Sequence, residues 1–115
     1  MINAGSCHCG RITFEVEGDI KEVIECNCSH CSRKGYLLYF TSRDKLRITS
    51  PAATLNTYLF NKHVIEHKFC SKCGCAPFGF GKDKAGNETA AINVRCMPDL
   101  DRSKLKITPY DGLTK

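Results

Sequence analysis

Apolar residues recur at every second position along much of this chain. In RITFEVEG, Ile12, Phe14 and Val16 alternate with Thr13, Glu15 and Glu17, the pattern of a strand with one buried face. YLLYFT at 36–41 and TLNTYLF at 54–60 are rich in aromatic and branched side chains and predict more deeply buried strands. HVIEHKF at 63–69 alternates imperfectly, with Ile65, His67 and Phe69 on one face. ETAAINVRC predicts a strand that turns Ile92, Val94 and Cys96 one way and Asn93 and Arg95 the other. KLKIT at 104–108 predicts a short terminal strand with Leu105 and Ile107 inward. Gly18-Asp19, Ser50-Pro51, the stretch GKDKAGNE at 81–88 and Pro98-Asp99 mark turns between strands. No segment carries a sustained helical stripe, and PDLDRSK allows one helical turn. With no linker, repeat or low-complexity tract, residues 1–115 predict a small all-β single domain of short antiparallel strands.

A chain of 115 residues can bury a modest core, and at this size extra staples help. Its 42% hydrophobic and 25% charged residues are those of a folded globular protein, which argues against a purely metal-storing chain. The net charge of +5 comes from scattered residues without a basic run. Tyr36, Tyr39 and Phe40 fall in a predicted buried strand, so a nucleic-acid face of interleaved aromatic and basic residues is not expected. No apolar run reaches the length of a membrane span. The start, MINAGSCHCGR, lacks the features of a secretory signal, which predicts a reducing cytoplasm. Nine cysteines there read as metal ligands or catalytic thiols.

The cysteines fall into clusters. CSKC gives Cys70 and Cys73 ahead of Gly74, a zinc-knuckle turn that aims two thiolates at one metal. CHC gives Cys7 and Cys9 ahead of Gly10, and the four together make a closed tetrahedral site. Such a site would staple a loop of about 60 residues. Two disulfides are the alternative, but cysteines two apart bridge poorly. CNCSHC leaves Cys26, Cys28 and Cys31 as a triplet. Three protein ligands and an open position are the pattern of a catalytic zinc. The competing arrangement is a closed site completed by His30, His63, His67, Cys75 or Cys96. Of these Cys75 is the strongest rival, because it follows the C-x-x-C turn by two residues.

In order, spacing and flanking residues, GSCHCGRITFEV, CNCSHC, FCSKCGCAPF and INVRC resemble the glutathione-dependent formaldehyde-activating family, from Gly5 to about Cys96. Cys75 is not part of that pattern. The resemblance implies a small all-β zinc fold, shared with a chaperone-like exchange factor of small GTPases. It implies two zinc ions per chain, one structural at Cys7, Cys9, Cys70 and Cys73 and one catalytic at Cys26, Cys28 and Cys31. The implied reaction adds the glutathione thiol to formaldehyde, giving S-hydroxymethylglutathione; its reverse is a carbon–sulfur lyase step.

Zinc with three thiolates carries a net negative charge and is a poor Lewis acid. Such a site favours activating a thiol over polarising a carbonyl. The alkoxide formed on attack needs a proton or a cationic neighbour. His30, His63, His67 and Arg95 are the candidates, with His67 first. Asn93 with Arg95, and Arg33 beside Lys34, are candidates for binding substrate carboxylates. The second expectation is a non-catalytic protein-interaction module of the same fold, in which both zincs are structural.

Overall fold

The computed structural model describes residues 1–51, 53–59 and 65–111. Within these, β1 (Ile2–Ser6), β2 (Thr13–Glu17) and β5 (Leu46–Ile48) form a three-stranded antiparallel sheet in the order β1-β2-β5. The second sheet runs β10 (Lys106–Tyr110), β3 (Glu22–Cys26), β4 (Leu38–Ser42), β9 (Glu88–Asn93), β8 (Phe78–Lys82), β7 (Glu66–Cys70) and β6 (Leu55–Tyr58). A short helix, α1 (Ser29–Lys34), links β3 to β4. The all-β, mostly antiparallel expectation holds, with one addition: β10 pairs with β3 in parallel. No described helix is long and apolar enough to cross a membrane.

The alternation in β2 does what its pattern predicts. Ile12, Phe14 and Val16 are buried, and Phe14 meets Phe78 of the larger sheet edge-to-face, with ring centroids 5.5 Å apart. Val23, Leu46, Ala90, Ile92 and Val94 belong to the same core. Gly5, paired with Phe14, lets the two layers close. A side chain there would meet the Phe14 ring, and its Cβ would lie 2.7 Å from the Cys96 carbonyl. Gly5→Ala should therefore lower stability by about 1–3 kcal/mol through overpacking. A fall in the urea midpoint at unchanged slope is the expected reading.

Several local expectations need correction. Within TLNTYLF, Leu55–Tyr58 form the edge strand β6, where Leu55 is half-buried and Asn56 to Tyr58 are exposed, because among the described strands β6 has a neighbour on one side, β7. Phe60 lies outside the described residues. Phe40 is 55% exposed, since it points away from the core that its neighbour Tyr39 packs against. The alternation predicted through Cys96 stops at Asn93. There the chain enters a 3-10 turn at Val94–Cys96, so Asn93 and Val94 are both buried while Arg95 is exposed. Ile107 is 47% exposed on the edge strand β10 rather than inward. The turn expected in PDLDRSK appears at Arg102–Lys104.

Register builds a hollow on the outer face of the larger sheet. Phe40 pairs with Ala91, Ala91 with Gly79, Gly79 with His67 and His67 with Tyr58, one continuous row across five strands. Paired residues share a face, so the smallest side chains, Ala91 and Gly79, lie between Phe40 and His67. The next row sets Ile24 beside Leu38 and Leu38 beside Asn93. A cavity of about 510 Å³ occupies this hollow.

Candidate active site

Two groups of cysteines converge, as the spacing predicts. The Sγ atoms of Cys7, Cys9, Cys70 and Cys73 all lie within 4.8 Å of one another, and so do those of Cys26, Cys28 and Cys31. Each cysteine is a free thiol. Cys7 and Cys9 stand 3.6 Å apart, as do Cys9 and Cys70. Tetrahedral zinc with Zn–S bonds near 2.3 Å separates its sulfurs by about 3.8 Å, so the four-cysteine group fits such an ion.

Local backbone aims these thiols. Cys70 ends β7, and Gly74, at φ +80°, turns the chain so that its N–H reaches the Cys70 carbonyl at 2.8 Å. Gly10, at φ +81°, does the same after Cys9, with its N–H 3.2 Å from the Cys7 carbonyl. The Ile12 and Lys72 N–H groups donate to Cys7 and Cys70 sulfur, both at 3.4 Å. The Cys75 N–H, with help from the Cys9 N–H, holds the Cys73 thiol down to about 5, and the Cys73 and Lys72 N–H groups lower Cys70. Burial pushes Cys7 up to about 11. Ionised together, four sulfurs this close would need a cation among them, and the N–H donors beside Cys70 and Cys73 favour their ionised forms.

The triplet has a different setting. Cys26 ends β3, Cys28 caps α1 by accepting the Cys31 N–H at 3.3 Å, and Cys31 is buried in the first turn. Gly35, in the left-handed conformation, closes the helix after Arg33 and Lys34. Burial raises Cys26 and, much further, Cys31; at Cys28 burial acts the same way, but hydrogen bonds from the Cys31 and His30 N–H groups and from the Cys31 and Cys26 thiols together outweigh it and lower the thiol. Among the described residues no fourth ligand atom joins this group. His63 lies outside the described residues. Cys75 and Cys96, the expected rivals, pack against the core of the other cysteine cluster instead; burial pushes Cys96 up to about 12. The three thiols open into the 510 Å³ cavity, which fits a metal with an accessible face.

His67 lines the same cavity, and its ring lies 4.4 Å from that of His30. Burial, then the neighbouring His30, depresses His67 to about 4, and burial with Lys34 lowers His30, so both imidazoles are neutral at pH 7. Asn93 is a wall residue whose amide is held by the backbone. It donates to the Ala76 carbonyl at 3.0 Å and accepts the Arg95 N–H at 3.2 Å. Arg95 and Arg33 do not line the cavity. Arg95 is exposed in its 3-10 turn, and Arg33 donates to the Ser29 carbonyl at 2.8 Å along its own helix. The pairing of Asn93 with Arg95 on one face is lost where the strand ends.

Sequence reasoning missed Tyr36 and Tyr58. Tyr36 is buried between the thiols and His30; burial and the nearby Cys31 raise its phenol well above its usual range. Tyr58 stacks on His30 at 5.4 Å. Together with His67, Phe69, Lys34 and Lys68 they line an adjoining pocket of about 300 Å³. Their strand pattern read as core, and the one available signal was the closeness of Tyr36 to Cys31.

The sequence model described as glutathione-dependent formaldehyde-activating enzyme matches residues 2–110. The chain belongs to this family. A crystal structure of a Rhodobacter sphaeroides protein is similar at 26% identity and a TM-score of 0.77, covering 91% of this chain and 99% of that one. Glutathione and formaldehyde are accordingly the substrates that membership implies in general, and both cysteine groups of this family member can hold metal ions.

Proposed function

We propose that this protein is a two-zinc enzyme that adds a low-molecular-weight thiol, glutathione or one like it, to formaldehyde or a related aldehyde, and catalyses the reverse carbon–sulfur cleavage. The observation that carries this reading is the three-cysteine group lining a cavity, in a chain whose other group already offers four sulfurs to one metal. Cys7, Cys9, Cys70 and Cys73 would hold a structural zinc, and Cys26, Cys28 and Cys31 a catalytic one. The catalytic ion would supply an open position at which a thiol sits ionised and nucleophilic.

The chain's own residues supply the rest. Leu38 and Ala91 give the cavity apolar walls, and polar contacts made against such walls are stronger than in water. His67, neutral at pH 7, presents an imidazole that can hydrogen-bond the oxygen as negative charge develops on it. Lys34 lines the adjoining pocket and joins Arg33 and Arg95 as a candidate for binding a substrate carboxylate. Lys34 forms no ion pair among the described residues, and its ammonium lies 5.9 Å from the Phe69 ring centroid. Lys68 is shared with Glu66 and Thr57.

Removing one such hydrogen-bond donor costs about 10²–10³ in rate. His67→Ala should therefore lower kcat by that factor in a formaldehyde–thiol assay followed by NMR, with zinc content unchanged. Wild-type kcat in the variant would remove His67 from the chemistry.

A further inference from the structure

We propose that the 510 Å³ cavity selects an aldehyde carrying an alkyl chain of several carbons, with formaldehyde the smallest member of the class it accepts. This rests on the thiol-addition reading above and names the carbonyl partner. Formaldehyde has two heavy atoms, and a molecule of water's size claims about 30 Å³, so it leaves most of the hollow unused. The hollow is built rather than incidental: register sets Ala91 and Gly79 between Phe40 and His67 and so keeps the middle of the row empty.

The walls state the chemistry. Ile24, Leu38, Phe40, Ile65, Phe78 and Ala91 are apolar, and the described lining includes no Lys, Arg, Asp or Glu. Glutathione carries two carboxylates and an ammonium, which would be costly to desolvate against such walls. A cation that suits such a carboxylate, Lys34, lines the adjoining pocket, which shares Tyr36 and His67 with the larger cavity. The charged arms of the thiol are thus served on one side, and the apolar hollow is left for the other substrate. The step is balanced without a further reactant. The sulfur–carbon bond forms at the carbonyl carbon, the π pair moves to oxygen, and the thiol proton ends on that oxygen, giving a hemithioacetal.

The test uses zinc-loaded wild-type protein, glutathione as thiol, and formaldehyde, acetaldehyde, butanal and hexanal in turn. Each kcat/KM is divided by the uncatalysed rate constant of the same aldehyde, which removes differences in electrophilicity. The ratio is expected to rise about three- to fourfold per methylene from acetaldehyde to hexanal. Ala91→Leu, which narrows the hollow, should flatten the series. A flat or falling wild-type series with formaldehyde still accelerated would overturn the apolar selection and leave the thiol chemistry standing. Acceleration of none of the aldehydes would instead overturn the thiol-addition reading. In that case calorimetry with ethanol through hexanol decides the cavity's preference: the same increment per methylene supports it, and its absence overturns it.

Discussion

Cys73→Ser is expected to give a chain that does not fold. Its thiol is the most acidic resolved in the four-cysteine group, held down to about 5, first by the Cys75 N–H, so serine removes the readiest anion there. The group joins the turn after β1 to the turn after β7, and in the proposed enzyme a zinc ion ties them. Structural zinc contributes about 10–16 kcal/mol of apparent binding energy in small domains. Net domain stability is about 5–15 kcal/mol, so losing the site outweighs what the core leaves over. Soluble yield and a urea melt read the outcome, with Cys75→Ala as control because Cys75 lies outside both groups. Cys73→Ser melting like the control would refute the staple.

Cys28→Ser is expected to behave in the opposite way, keeping the fold and losing the chemistry. Cys28 caps α1 through its sulfur, and serine is among the best helix caps. The helix start therefore survives, and stability should stay within about 1 kcal/mol of wild type. The thiolate does not survive, so the zinc count should fall from two to one. A free thiol with a pKa near 8.5 is roughly 3% ionised at pH 7, and loss of positioning costs further orders of magnitude. Activity should drop by roughly 10³ or more. Unfolding of this variant would assign the second metal a structural role and favour the protein-interaction reading.

The partition of the cysteines was legible because ligand spacing is a local property. C-x-C-G and C-x-x-C-G each set two sulfurs by a turn at one glycine, and Gly10 and Gly74 do have positive φ. The β2 alternation was legible because one of its faces is wholly buried. α1 was not, because six residues are too short to show a helical stripe, although Arg33-Lys34-Gly35 marked its end. The cavity was not legible either. It depends on which strands pair and in what register, and no local pattern sets Phe40, Ala91, Gly79 and His67 in one row. The same fact displaced Arg95: the 3-10 turn after Asn93 broke the alternation that had assigned it a face.

Cobalt replacing zinc in the wild-type protein tests the open, thiol-binding second site most directly. Titration with glutathione should add sulfur-to-cobalt charge-transfer absorption that saturates, as a fourth sulfur joins Cys26, Cys28 and Cys31, and Cys28→Ser should not show the increase. An unchanged wild-type spectrum at every thiol concentration would mean that the site takes no thiol, and it would contradict the proposed enzyme.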